Sequence, residues 1–249
     1  MYYDSTSNNT ALSANDLEKL KKIAKYLINR ITPPQWGLYA EMSENDLFIH
    51  LILQYCKVGG AGMLESLKAE TDKFNAFKEQ MDFKKLASLK KDARPFVANV
   101  LKTFKATKFY NKQAERIVSL LMNPRVVDRG RFILLNGLDM ENQEFQDIRK
   151  KFMSMDSHLT MKSASEYMIE TGLSIDVIAL STPTTEILNE HFGLHVDPYK
   201  LQENRYMYES VEDALRRGCN QIGIPLAYFD RMLFHFTGKD AISFILEDL

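Results

Sequence analysis

The fold and the function both turn on residues 150–190, KKFMSMDSHLTMKSASEYMIETGLSIDVIALSTPTTEILNE. Apolar residues recur at helical spacing up to about residue 153, as expected of a helix with one buried face. Met155-Asp156-Ser157-His158-Leu159-Thr160 then reads as a turn. A helix starting near Thr160 presents Lys162 in its first turn, followed by Ala164, Tyr167 and Met168, and Gly172 is placed to end it as a C-cap. An apolar segment follows, Ile175-Asp176-Val177-Ile178-Ala179-Leu180, and then Ser181-Thr182-Pro183. Spacing over about 173–191 predicts a further helix. A lysine amine held between two apolar helices can be forced toward its neutral form by desolvation and become nucleophilic. By default, a lysine at a helix start is a surface residue.

Working outward, the pattern stays helical. Ser13 with Asp16 forms a capping-box pattern ahead of Leu17, Leu20, Ile23, Ala24, Leu27 and Ile28, and the helix should stop before Pro33–Pro34. Ser43 with Asp46 marks a second start, continued by Leu47, Phe48, Leu51, Ile52 and Tyr55 to the Gly59–Gly60 break. His50 interrupts that apolar stretch and reads as a residue on the more polar side. Further helices are predicted at about 61–80, 94–106, 110–122, 142–153, 160–171, 208–222, 225–237 and 239–248. The fold class is all-α. Residues 1–12 read as a polar tail, without the basic and apolar regions of a secretory signal, and residues 13–249 as the folded domain.

The chain has 249 residues, of which 45% are apolar and 26% charged, enough to bury a core without staples. Two cysteines, Cys56 and Cys219, match no metal or disulfide spacing, so a reducing cytoplasm is the expected compartment. No apolar run approaches the roughly 20 residues of a membrane span. The net charge of −1 disfavours a protein that coats nucleic acid non-specifically. Charge is nonetheless uneven. Between Phe83 and Arg116 lie Lys84, Lys85, Lys90, Lys91, Arg94, Lys102, Lys105, Lys108, Lys112 and Arg116, against only Asp92 and Glu115. Such a run is either a set of solvated helix faces or a phosphate-contacting surface. His191 and His195 share helical spacing, but Gly193 and Pro198 read as a helix end and no third ligand is in view, so no metal site is expected.

Met161-Lys162-Ser163-Ala164-Ser165-Glu166-Tyr167-Met168, then Gly172, then Asp176 through Ser181, resembles the core motif of the helix-hairpin-helix DNA glycosylases. It is most similar to the compact archaeal-type 8-oxoguanine DNA glycosylase/AP lyases. Lys108 through Val118, Tyr208 through Leu215, Gly223 through Asp230 and Met232 through Lys239 are similar to further segments of that family in the same order. Asp46 to Leu67 resembles its early helix pair. The resemblance covers most of 44–240 and places the hairpin region at about 142–191. It implies two helical subdomains flanking a cleft. It also implies a monomeric base-excision repair enzyme that acts on double-stranded DNA carrying a damaged base such as 8-oxoguanine. Localisation would be cytoplasmic, and nucleoid-associated in a prokaryote.

In that family the damaged nucleotide is flipped into a pocket, a lysine attacks C1′, and a Schiff base permits strand cleavage without metal or cofactor. The resemblance puts Lys162 at the catalytic lysine and Ser181 at the expected catalytic aspartate. Phe229, Asp230 and Phe234 fall at the base pocket. His158 and Thr160 fall at the hairpin, and Lys108, Lys112 and Arg116 on the basic surface, as DNA contacts. The alternative for the aromatics is simply core. Two departures stand out. The hairpin has no glycine, where a Gly-x-Gly-type turn lets amides approach a phosphate, and Asp156 sits there instead. Serine at 181 cannot supply a negative charge, and removing one such stabiliser costs roughly 10²–10³ in rate. These departures imply the alternative of a catalytically impaired or inactive glycosylase-fold relative that binds DNA or protein. An unrelated all-α enzyme or regulator is a third reading.

Overall fold

The computed structural model describes residues 12–57, 60, 62–139 and 143–236, and the predicted helix at 239–248 lies outside them. Among the described residues the regular structure is helical apart from one hairpin of two two-residue strands. No helix there is long and apolar enough to cross a membrane. Two compact units emerge, Met1–Gln35 with Ser174–Leu249, and Trp36–Leu173.

The first helix, α1 (Ala14–Leu27), starts as its sequence predicts. Ser13 accepts the Asp16 N–H while the Asp16 carboxylate accepts the Ser13 N–H, a reciprocal capping box. Leu20, Ile23, Ala24 and Leu27 form its buried face.

The central unit contains α2 (Glu44–Cys56), α3 (Gly62–Ala69), α4 (Thr71–Gln80), α5 (Phe83–Ser88), α6 (Ala93–Thr103) and α7 (Tyr110–Leu121). It continues with β1 (Val127–Asp128), β2 (Arg131–Phe132), α8 (Phe145–Met155) and α9 (Met161–Thr171). α2 is its axle, packing on α7 and α9, while α6 packs along α7. Phe48 of α2 meets Phe83 and Phe132 at 5.8 and 6.0 Å between ring centroids, fastening α5 and the hairpin to the axle. Each such aromatic pair contributes about 1 kcal/mol beyond the area buried.

The single helix predicted over 61–80 is two, broken at Glu70, whose ψ of 88° leaves the helical region. Thr71 and Asp72 suit a helix start, but no glycine or proline marks the break. The β1–β2 hairpin was not expected. Arg129 and Gly130 both take positive φ (46° and 73°), as a two-residue turn that matches the strand twist requires.

The other unit joins α1 to α10 (Thr182–Phe192), α11 (Pro198–Glu203), α12 (Arg205–Gln221) and α13 (Leu226–Phe236). Gly218 of α12 lets α1 approach so closely that a Cβ there would lie 3.4 Å from both Leu17 and Leu20 and 2.6 Å from Leu12. The helix predicted over 173–191 is corrected: only Thr182–Phe192 is helical, and 175–180 runs irregular and largely buried. Three β-branched residues in Ile175-Asp176-Val177-Ile178 disfavour a helix, and Ser181 with Pro183 starts one afterwards.

Helix side chains supply the hydrogen bonds of this irregular segment. Glu212 accepts the Ile178 N–H, and Asp230 accepts the Ala179 N–H at 2.8 Å. Tyr208 donates its hydroxyl to the Ile178 carbonyl (2.6 Å) and accepts the Leu180 N–H (3.1 Å). Gln202 donates to the Leu180 carbonyl. Asp176 faces Arg216 at 2.9 Å. Burial raises the Asp176 carboxyl above its ordinary value, Arg216 opposes this, and Glu212 and Asp213 add to the rise.

Candidate functional site

Lys162 stands on the second residue of α9, a helix held at both ends. At its start Thr160 accepts the Ser163 N–H (3.2 Å). At its end Gly172 takes φ 69°, while the Gly172 and Leu173 N–H groups return to the Ile169 and Met168 carbonyls. α8 and α9 are joined by the expected tight turn. Asp156 closes it without glycine: one carboxylate oxygen accepts the His158 N–H at 2.9 Å. The other oxygen is buried and has no hydrogen-bond partner among the described residues. That oxygen therefore sits inside the turn between α8 and α9. The His158 side chain is exposed.

Lys162, Glu166 and Glu170 follow one another at i, i+4 and i+8 on α9, so their side chains form one stripe. His50, Gln54 and Lys57 lie at i, i+4 and i+7 on α2, and the two stripes meet. Lys162 Nζ is 3.4 Å from Glu166 Oε2, and Lys57 Nζ is 3.1 Å from Glu166 Oε1. Lys57 also reaches Glu170 Oε1 at 2.8 Å, as does Lys68 of α3 at 3.4 Å. Gln54 donates to Glu170 Oε2 at 2.8 Å, with His50 Nδ1 3.3 Å from the same oxygen. Lys162 keeps 21% of its side-chain surface, against 8% for Glu166.

Burial opposes ionisation of Glu170. The Lys57 ammonium, the His50 hydrogen bond and Lys68 outweigh it and hold the carboxyl well below its usual range. The cluster gathers three ammonium groups around two carboxylates, and Lys162 is its most open member among the lysines facing Glu166.

Sequence reasoning passed over Glu166 and Glu170 as possible acids for Lys162. The signal was present as charged and polar residues recurring at helical spacing along both helices. His50 sits on the more polar side of α2, as expected, but there it faces Glu170.

The remaining residues implied by the resemblance divide between the units. In the central unit Lys108 and Lys112 are exposed, and Arg116 is partly exposed and donates to Gln113 Oε1 at 3.4 Å. In the other unit Ser181 is the N-cap of α10, where its hydroxyl accepts the Thr184 N–H at 3.3 Å and meets the Thr184 hydroxyl at 2.8 Å. Phe229 has no exposed surface and packs edge-on against Phe192 at 5.8 Å. Asp230 is buried, bonded to the Ala179 N–H and 3.5 Å from Arg231. Phe234 keeps 45% of its surface exposed.

A polar groove of about 620 Å³ in the central unit is lined by Asp46, Lys78 and Asp82 among others, and none of the candidate residues borders it. His191 lies in the last turn of α10 and His195 beyond it at φ 48°. Among the described residues no three His, Cys, Asp or Glu side chains gather as a metal site. No family model, curated protein or solved structure matches this chain.

Proposed function

We propose that the protein is a DNA base-excision glycosylase with lyase capacity, in which Lys162 is the amine nucleophile and Glu166 its proton acceptor. The carrying observation is the 3.4 Å pair between Lys162 Nζ and Glu166 Oε2, with the carboxylate buried and the lysine partly open. Glu166 takes a proton from the ammonium. The freed electron pair attacks C1′ of a damaged deoxynucleotide, the C1′–N bond breaks, and the base leaves with that bond pair and is protonated. Breaking the C1′–O4′ bond, with one amine proton passing to O4′, opens the ring to a Schiff base, and loss of a C2′ proton then breaks the C3′–O bond and releases the 3′ phosphate. Glu166 thus stands in for the acid that the resemblance placed at Ser181.

Borohydride trapping on duplex DNA with 8-oxoguanine, an abasic site or no lesion tests this. The natural sequence should give a covalent adduct on a lesion substrate. Lys162→Ala should abolish it, and Glu166→Gln should slow it by roughly 10²-fold or more. Absence of any adduct, with the chain folded, overturns the proposal.

A second reading is a non-catalytic binding relative, favoured by the commitment of the Ser181 hydroxyl to capping α10. Aspartate caps as well as serine does, so Ser181→Asp should leave stability unchanged. Under the second reading it also creates no trapping.

A further inference from the structure

The chain reverses between α6 and α7 through residues 104–109, and this turn is anchored from within. Ala106 is buried, and its N–H donates to the Leu101 carbonyl at 2.9 Å. Thr107 is buried as well, and its hydroxyl accepts the Phe109 N–H at 3.3 Å. Phe104 beneath the turn packs edge-on against Phe77 of α4 at 5.7 Å.

From this fixed base the polar and aromatic side chains project outward. Lys102, Lys105, Lys108 and Lys112 are all exposed. Lys102 Nζ lies 5.7 Å from the centre of the Tyr110 ring, which ties the end of α6 to the start of α7. Lys105, Lys108 and Lys112 have no ion-pair partner among the described residues, and the nearby Glu115 is engaged by Arg94 at 2.9 Å. Amid these lysines Phe109 leaves 49% of its surface in solvent.

Like charges on and beside one turn repel each other, and a half-exposed phenylalanine among them adds little to the core. Both features become favourable against a partner that carries regularly spaced anions and open aromatic faces. We propose that the α6–α7 turn is a binding platform for a single-stranded polynucleotide, with Lys102, Lys105, Lys108 and Lys112 on the phosphates and Phe109 stacked on a base. A duplex hides its base faces, and an acidic peptide offers none. The platform stands apart from the chemistry at Lys162 and holds for a non-catalytic chain as well.

The test is fluorescence anisotropy of the full chain with a labelled oligothymidylate of about 15 nucleotides, a length within the span of known single-strand platforms. Each titration is repeated between roughly 50 and 200 mM salt. Lys105→Ala with Lys108→Ala should lower the magnitude of the log K against log salt slope by about 1.4, since each phosphate contact on a single strand adds about 0.7. Phe109→Ala should weaken binding by about fivefold to 150-fold at fixed salt with the slope unchanged. Lys21→Ala, at an exposed lysine of α1 paired with Glu18, should change neither, and because trapping at Lys162 is a different readout, this platform and the Lys162 reading fail separately. Four results overturn the proposal: no oligonucleotide binding by the folded chain, a Phe109→Ala variant that binds like the parent, a Lys105→Ala/Lys108→Ala variant that loses duplex binding as much as oligothymidylate binding, or preference for phosphatidylserine vesicles over the oligonucleotide.

Discussion

Replacing Glu170 by glutamine keeps the shape of the side chain and removes the charge at the centre of the α2–α9 contact. Both carboxylate oxygens are engaged, one by Lys57 and Lys68 and the other by Gln54 and His50. Removing one partner of a buried ion pair costs about 3–5 kcal/mol. Here Lys57 keeps Glu166 at 3.1 Å and Lys68 keeps Glu65 at 3.9 Å. The amide oxygen can also still accept one hydrogen bond. A loss of about 2 kcal/mol at neutral pH is therefore expected, below the range for a lone pair.

Urea unfolding followed by far-UV circular dichroism would show this as a midpoint about 1 M lower, from a slope of roughly 2 kcal/mol per M. The pH dependence sharpens the test. The Glu170 carboxyl is held below its ordinary value of 4.5, so its stabilising contribution is full above that pH. It is lost as pH falls through the depressed folded value, because the unfolded chain then binds the proton first. The gap between parent and variant should accordingly shrink in acid. A gap under about 0.5 kcal/mol at neutral pH, the size of an ordinary surface change, or one that stays constant into strong acid, would refute this account of the cluster.

Three further outcomes are expected. Tyr208→Phe leaves the Ile178 carbonyl and the Leu180 N–H without their shared hydroxyl in a buried segment, and thermal unfolding should register a loss of about 2–3 kcal/mol. Gly218→Ala gains up to about 1 kcal/mol of helix propensity, but its Cβ would lie 2.6 Å from Leu12. Overpacking of about 1–3 kcal/mol should win, and the chemical denaturation midpoint should fall. Burial pushes the Cys56 and Cys219 thiols up to about 12. At pH 8 about one in ten thousand is ionised, so labelling by a disulfide reagent should be slow in buffer and fast in denaturant.

Helix ends were the most legible feature of the chain, because a cap is a local event. The capping box at Ser13, the start at Ser43 and the stop at Gly172 each rest on residues within a few positions of one another. Asp197 with Pro198 carried the same kind of signal for α11, but the proline was read only as marking the end of the preceding helix. Residues 175–180 were not legible. A short apolar run fits a buried helix or a buried extended segment equally well, and its conformation is fixed by Tyr208, Glu212 and Asp230, some 30 to 50 positions away. The acid beside Lys162 lay between these cases. Glu166 was visible at helical spacing, yet the meeting of its stripe with His50, Gln54 and Lys57 is a tertiary fact.

The segment that helix side chains hold has a consequence for refolding. Ile175-Asp176-Val177-Ile178-Ala179-Leu180 combines β-branched residues, high apolarity and a single charge, the composition of a cross-β nucleus. In the native protein its amides at 178, 179 and 180 are already occupied by Glu212, Asp230 and Tyr208, so it offers no open edge to another chain. The protection of these three amides comes from α12 and α13. A chain newly diluted from denaturant, or on the ribosome before those helices emerge, carries the segment bare, and its aggregation will depend on how quickly the last two described helices close over it.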